Sequence, residues 1–463
     1  MTERPRLMLC APSSGSGKTT VTCALLRALK ERGAAPAAFK CGPDYIDPMF
    51  HSEVVGVPSR NLDLFLMGEA PILRSLQENG GAISLIEAAM GYYDGIAMGD
   101  DASAYRLAQL TSTPAVLVID GRGRALSAAA LVKGFADFRP RSQLRGVIFN
   151  RVSPMLYPRL KELVERETGL RAYGFLPECP DCTIESRHLG LVTAAEIAGL
   201  QEKLDRLSAL ARQHLDIEGL TALSQTAPPL TVPPERLPAP VAGRPRIAVA
   251  RDKAFCFYYA DALRLLERLG AELAFFSPLA DAALPEGTAG LYLGGGYPEL
   301  HAEALSENRP LLQAIREAIQ SGLPTIAECG GFLYLHEALT DAAGQSRPMA
   351  GLLHASARSV GKLTRFGYIT MTAQTAGLLC PTGASLNAHE FHYWDSTAPG
   401  EAFHAQKPQS PRAWFCAHHT PTLYAGFPHV HLCGCPQAAG RFVEACMTRG
   451  NSEGLGVRSV GAP

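Results

Sequence analysis

Residues 12–20 read PSSGSGKTT, directly after the apolar run LMLCA at residues 7–11. A helical pattern follows at once, with Val21, Ala24, Leu25 and Ala28 on one face. A strand, a turn of small residues and Lys-Thr at a helix start form the context in which such a loop cradles phosphate. Small residues let backbone N–H groups close around phosphate oxygens, and the helix N-terminus adds positive potential there. This reading assigns Ser14, Gly15, Ser16, Gly17, Lys18, Thr19 and Thr20 to an ATP site. Lys18 would neutralise β/γ-phosphate charge, and the Thr19 hydroxyl would ligate Mg²⁺. Pro12 stands where the usual pattern has its first glycine. The bland alternative is a flexible strand–helix turn, and the flanking context argues against it.

The chain has 463 residues, 47% hydrophobic and 19% charged, with a formal net charge of −1. Such a length predicts about two to three domains of the usual ~100–200 residues. The near-neutral charge leaves no polyanion footprint, so no nucleic-acid partner is expected. No apolar run reaches ~18 residues, and the N-terminus lacks the apolar core of a signal peptide. The expectation is a cytoplasmic protein with no membrane partner. Twelve cysteines are spread along the chain. Several, such as Cys10, Cys23 and Cys446, sit in apolar segments, so reduced, buried thiols are expected. Cys179-x-x-Cys182 and Cys433-x-Cys435 could join as a zinc site, but neither has a second pair at zinc-ribbon spacing beside it.

In chain order, residues 35–39 predict a short strand leading into KCGPDYIDP at residues 40–48. Lys40, Asp44 and Asp47 fall in a proline-stiffened loop at a strand's C-terminal end, the edge where parallel α/β sheets bind ligands. A solvated Asp-Pro turn is the alternative. A polar cluster follows at residues 60–63, RNLD. Residues 83–87, ISLIE, predict a buried strand tipped by Glu87, where a carboxylate related to Mg²⁺ is expected, with Asp94 beyond it. PAVLVID at residues 114–120 is a continuous apolar run of the kind that a parallel sheet covered on both faces requires. A small-residue helix at 125–135 and a strand at 144–150 come next, with Asn150 at the strand tip. Asn150 could meet an adenine edge or cap the next turn. A strand at 170–176, the segment ESRHLG with Arg187 and His188, and helices to about His214 complete an alternating order. That order predicts a doubly wound parallel sheet.

Residues 221–244 carry six prolines and little periodic hydrophobicity, which predicts an extended linker between domains at 1–220 and 245–450. Beyond it, strands are predicted at 246–250, 273–276, 290–293 and 324–327, with helices at 259–269 and 310–321. The third of these strands opens onto Gly294, Gly295 and Gly296, a turn whose backbone can approach a ligand closely. The fourth runs into ECGGFLYL at residues 328–335. A cysteine on a tight strand-to-helix turn presents its sulfur near a helix N-terminus and freed N–H groups, the geometry of a nucleophile elbow. Cys329 is therefore the candidate nucleophile. A base is needed, and His429 and His431 lie two apart in a predicted strand, so both would project from one face. Chemistry alone does not separate them. In HEFHY at 389–393, His389, Phe391 and Tyr393 alternate with Glu390 and His392.

Seven stretches in order, SSGSGKTTVT, KCGPDYIDP, EAAMGYYDG, ESRHLGLV, LYLGGGYPEL, AECGGFLYL and AHEFHYWD, resemble the cobyrinate a,c-diamide synthase family, within the cobyrinic acid diamide and cobyric acid synthase group. The resemblance covers nearly the whole chain. It implies an α/β fold with a dethiobiotin-synthetase-like, P-loop parallel-sheet domain followed by a class I glutamine amidotransferase-like domain. It implies that Cys329, with His429 or His431, releases ammonia from glutamine. ATP would phosphorylate a side-chain carboxylate of a corrinoid tetrapyrrole, cobyrinate, at the a and c acetates, and ammonia would displace the phosphate. Thr19, Asp44 and Glu87 would hold Mg²⁺. Lys40, Asp44, Tyr45, Asp47, Asp94, Arg187 and His188 would bind substrate, and Gly294, Gly295, Gly296 and Gly330 would bind glutamine. Hydrogenobyrinate and nickel-sirohydrochlorin are alternative acceptors, and a homodimer is common for the ATP-binding fold. Two departures stand out: Leu432 and Cys433 follow His431 where the usual amidotransferase has a glutamate, and Ala88 replaces a glycine. A partitioning-type switch ATPase is the rival class, but its signature lysine is Ser13 here.

Overall fold

The computed structural model describes residues 4–182, 186–187, 190–191 and 199–456. The chain divides between Pro234 and Glu235 into two compact units. The first is built on seven parallel strands: β1 (Arg6–Cys10), β2 (Pro36–Cys41), β3 (Ser59–Leu62), β4 (Ile83–Glu87), β5 (Ala115–Asp120), β6 (Leu144–Asn150) and β7 (Arg171–Leu176). Their order across the sheet is β3-β2-β4-β1-β5-β6-β7. The apolar run predicted at 114–120 forms β5 beside β1, buried from Ala115 to Ile119. Burial on both faces is what a parallel sheet with crossover helices imposes.

Two strands differ from expectation in a way that matters. The polar cluster at 60–63 belongs largely to the edge strand β3. The predicted strand at 35–39 instead spans Pro36–Cys41, so Lys40 lies inside β2 rather than in the following loop. Parallel register then sets Lys40 opposite Glu87 of β4, and Glu87 opposite Leu9 of β1. Two charged side chains thereby meet at the sheet's carboxyl edge, beside the turn that follows β1.

The stretch 221–244 begins as helix, since Ile217–Gln225 is helical, and only the residues after it run without regular structure to β8. The second unit holds a six-stranded sheet of β8 (Arg246–Ala250), β9 (Glu272–Phe276), β10 (Thr288–Leu293), β11 (Thr325–Glu328), β16 (His418–Thr420) and β17 (Leu423–Gly426). The order is β9-β8-β10-β11-β17-β16, with only β16 antiparallel. Beyond β11 the chain also builds two smaller sheets, one mixed and one antiparallel, most of whose strands periodicity did not reveal. One contains β12 (Arg365–Ala373), β13 (Ser385–His392), β14 (Phe403–Gln406), β15 (Ala413–Cys416) and the two-residue β18 (His429–Val430). The alternation read at 389–393 holds here: Glu390 and His392 are buried, and His389 and Phe391 are partly exposed on the other face.

The core of this unit includes the helix Arg309–Gln320, whose Leu311, Leu312, Ile315 and Ile319 are all buried. Those positions share one face at helical spacing. Ile315→Ala is expected to lower unfolding free energy by about 2–5 kcal/mol, measured by denaturant titration, because the cavity adds to the lost transfer term. A loss under about 1 kcal/mol would contradict this packing.

Candidate active site

Each unit carries one cluster of reactive side chains at the carboxyl edge of its parallel sheet. In the first unit the turn after β1 leads into the helix Lys18–Glu31. Gly17 adopts φ 96°, and a Cβ there would lie 1.9 Å from Asn150 Nδ2. Asn150 itself donates to the Ser16 carbonyl at 3.1 Å and is 4% exposed. Its side chain thereby braces the turn. Lys18 Nζ donates to the Ser13 and Met90 carbonyls at 3.2 and 2.6 Å. Burial, joined by the charge of Lys40, lowers its pKa.

Thr19 donates its hydroxyl to Glu87 Oε1 at 2.6 Å. Lys40 donates to the same oxygen at 2.9 Å and pairs with Asp47. His51 Nε2 stands 3.2 Å from Glu87 Oε2. Burial opposes the charge on Glu87, yet Lys40 and His51 outweigh it and hold this carboxyl well below its ordinary range. Lys40 is likewise held charged: burial works against it, but Asp47 and Glu87 prevail and raise its pKa.

Of the remaining predicted residues, Asp47 belongs to this cluster through Lys40, and Asp44 acts on both by its charge. Asp44 Oδ1 accepts from the Ile46 N–H at 2.8 Å, closing its own turn. Tyr45 is buried, and Asp47 is committed to Lys40. Asp94 is exposed and accepts from the Gly91 N–H at 2.9 Å. Arg187 belongs to a small hairpin with Gly190–Leu191, while His188 lies outside the described residues. Among the described residues no group of three or more His, Cys, Asp or Glu could hold a metal ion. The Thr19 hydroxyl beside an ionised Glu87 does fit Mg²⁺, which takes one or two protein oxygens and completes its shell with phosphate and water. His51 was not foreseen, because nothing in its spacing marks it.

In the second unit β11 and β17 are parallel neighbours, with Glu328 opposite Gly426. The Cys329 N–H donates to the Gly426 carbonyl at 2.8 Å, so the turn after β11 is fixed to the end of β17. Three residues later the chain reaches His429. Cys329 has φ 47°, ψ −100°, a strained backbone for a residue with a Cβ. The helix behind it, Gly330–Tyr334, is only five residues long and offers less dipole than the sequence suggested.

The two candidate histidines separate sharply. His429 interacts with Cys329. Burial disfavours its charged form, but the contacts to Cys329 and Glu328 overcome this and raise its pKa to about 10. His431 follows the end of β18, so the alternation that would share a face is broken. Its ring stacks on Tyr259 at 4.4 Å, and burial pushes its pKa down to about 4. Neither of its ring nitrogens has a hydrogen-bond partner among the described residues.

The glycine loop lies against this pair. A Cβ on Gly295 would come within 2.6 Å of His429 Cε1, so only glycine lets the loop backbone reach the imidazole. Gly296 N lies 3.0 Å from where a Cβ on Gly330 would sit. Gly294 is occupied structurally, with its N–H on the Tyr258 hydroxyl at 2.9 Å and its carbonyl on the Gly331 N–H. The cysteines need one correction. Cys179 and Cys182 are joined in a disulfide, and the ten free cysteines include the expected buried Cys10, Cys23 and Cys446. Spacing alone gave no sign of the bond, since a C-x-x-C pair serves metals and disulfides alike.

Residues 7–192 match the family model described as the CobQ/CobB/MinD/ParA nucleotide binding domain. Residues 246–432 match that of the CobB/CobQ-like glutamine amidotransferase domain. A cobyrinate a,c-diamide synthase of Caldanaerobacter subterraneus subsp. tengcongensis is 36% identical over 449 residues, covering 96% of this chain and 98% of its own. One from Thermoplasma volcanium is 38% identical over 447 residues, covering 96% and 97%. One from Salmonella typhimurium is 38% identical over 448 residues, covering 95% and 97%. No helix among the described residues is long and apolar enough to cross a membrane. Two matched domains and near-complete overlap with these relatives show that the chain is an amido-transferring ligase belonging to the cobyrinate a,c-diamide synthase family.

Proposed function

We propose that this enzyme amidates the a and c acetate carboxylates of cobyrinate, with ATP activating each acid and glutamine supplying nitrogen. The observation that carries the reading is the pairing of Cys329 with His429 in one unit, alongside the Lys18, Thr19 and Glu87 cluster in the other. Residues 1–220 carry the ATP chemistry and residues 245–450 the glutamine chemistry, with 221–244 between them. The cobalt-bearing acceptor follows the names of the relatives, ahead of hydrogenobyrinate or nickel-sirohydrochlorin.

His429 takes the Cys329 proton, and the sulfur attacks the glutamine side-chain carbonyl. The proton then passes from His429 to the departing nitrogen, which leaves as ammonia. Water, deprotonated by the same imidazole, cleaves the glutamyl thioester. The backbone around Gly296 and Gly330 supports the reading that this turn receives the oxyanion. In the first unit Lys18 and the turn at 14–17 hold the triphosphate. Thr19 and Glu87 would hold Mg²⁺, which would supply neutralisation of phosphate charge. A substrate carboxylate takes the γ-phosphoryl group, and ammonia displaces phosphate from the resulting acyl phosphate. Lys40 and His51 keep Glu87 ionised and in place throughout.

The assay is mass spectrometry of cobyrinate incubated with ATP and glutamine, where two successive amidations are expected. No mass change with cobyrinate, but conversion of hydrogenobyrinate or nickel-sirohydrochlorin, would move the acceptor assignment. Cys329→Ser is expected to reduce glutamine hydrolysis by about 10⁴-fold or more while amidation from ammonium persists. Glu87→Gln is expected to show the reverse pattern, with amidation lost from either nitrogen source and glutamine hydrolysis retained. His429→Ala should match Cys329→Ser, and His431→Phe should retain glutamine hydrolysis within about tenfold. Equal losses at the two histidines would contradict the assignment of His429.

A further inference from the structure

With His429 paired to Cys329, the residue two positions after the working histidine is His431, a buried ring on Tyr259 that supplies no negative charge. An imidazole that shuttles protons needs a group to fix its tautomer and its plane, and a buried carboxylate is the usual solution. The structure holds one beside the ring. Glu328, the residue immediately before the nucleophile, is 2% exposed. Its Oε1 accepts from the Val430 N–H at 2.9 Å, and its Oε2 accepts from the Tyr292 hydroxyl at 3.1 Å. The same Oε2 lies 3.8 Å from His429 Nδ1.

We propose that Glu328 is the positioning residue of the glutaminase site, orienting His429 and balancing its positive charge in place of a downstream acid. This rests on the assignment of Cys329 and His429 made above. One carboxylate grips the backbone beside His429 through Val430 and faces the ring through Nδ1, so ring and strand are fixed together. Nδ1 turned to Glu328 leaves Nε2 for the sulfur. The 3.8 Å separation is an ion-pair contact, and contacts of this kind tighten as substrate binds. The raised pKa of His429, held up in part by Glu328, agrees with the geometry. Other groups bear on the pair. His389, Glu390 and His392 of β13 act on His429, while Tyr258, Tyr292, Tyr424 and Cys435 act on Glu328. Among these, Glu390 is the other carboxyl, and it belongs to a different strand.

Glu328→Gln separates orientation from packing. The amide keeps the shape and can still accept from Val430, but an N–H facing Nδ1 favours the wrong tautomer and leaves Nε2 protonated. Glutamine hydrolysis should fall by about 10²–10⁴-fold in kcat with KM within about threefold. Alkylation of Cys329 by iodoacetamide, followed on its own peptide by mass spectrometry, should reach half-maximal rate at a higher pH than in the parent enzyme. Glu328→Asp keeps the charge one methylene further back and should recover much of the lost rate and most of the alkylation profile. An unchanged alkylation profile in Glu328→Gln overturns the proposal, as does an aspartate variant no better than the glutamine one. If Glu328→Gln does not fold, the aspartate variant alone decides: a profile shifted upward by less than its glutamine-hydrolysis loss requires would overturn it, and a matching shift supports it. Retention of glutamine hydrolysis by Cys329→Ser would instead remove the underlying site assignment, an outcome read independently of Glu328.

Discussion

Parallel pairing of β11 with β17 is the constraint on which the glutaminase half depends. Register sets Glu328 against Gly426, and the next N–H in the chain, that of Cys329, closes on the Gly426 carbonyl. The two strands therefore end at one edge, and the residues just past each end must meet. Cys329 is one of them and His429 is the other. Only Phe427 and Pro428 separate the end of β17 from His429, whose strand β18 pairs with β13. The strain at Cys329 is sustained because both flanks are anchored, by Gly426 in front and by the Gly331 contact to Gly294 behind.

The nucleotide half repeats the logic with charge instead of sulfur. Parallel register sets Lys40 beside Glu87, and the turn after β1 delivers Thr19 to the same carboxylate. A buried glutamate would protonate if it stood alone, since desolvation disfavours its charged form. Here Lys40, His51 and Thr19 each contact it, so it stays ionised where a cation and a triphosphate would need it. In both halves the proposed chemistry falls at the ends of neighbouring parallel strands, where open α/β sheets in general bind ligands.

Much of this was legible in the sequence because it follows from local pattern. The phosphate-binding turn, the β5 run, Glu87 at a strand tip and the cysteine elbow are each written in a few adjacent residues. What was not legible depends on where strands stop and how they pair. Ending β2 two residues early put Lys40 in a loop and hid its register with Glu87. Extending β18 past Val430 put His429 and His431 on one face, whereas the chain turns at His431 and sends that ring to Tyr259. The acid for the histidine was sought downstream of it, where catalytic acids of this type are usually placed. Glu328 sits a hundred residues earlier and becomes a neighbour only through sheet pairing. The Cys179–Cys182 bond escaped for a different reason, since a C-x-x-C pair serves metals and disulfides alike.

The claim that one half makes nitrogen for the other to consume is tested most directly with glutamine carrying heavy nitrogen at its side-chain amide. The enzyme is supplied with that glutamine, ATP, cobyrinate and unlabelled ammonium in solution. The account predicts heavy nitrogen in both new amides, one ATP consumed for each, and complete loss of the label in Cys329→Ser while unlabelled amides still form. Absence of the label from the amides formed by the parent enzyme, or label retained by Cys329→Ser, would contradict it.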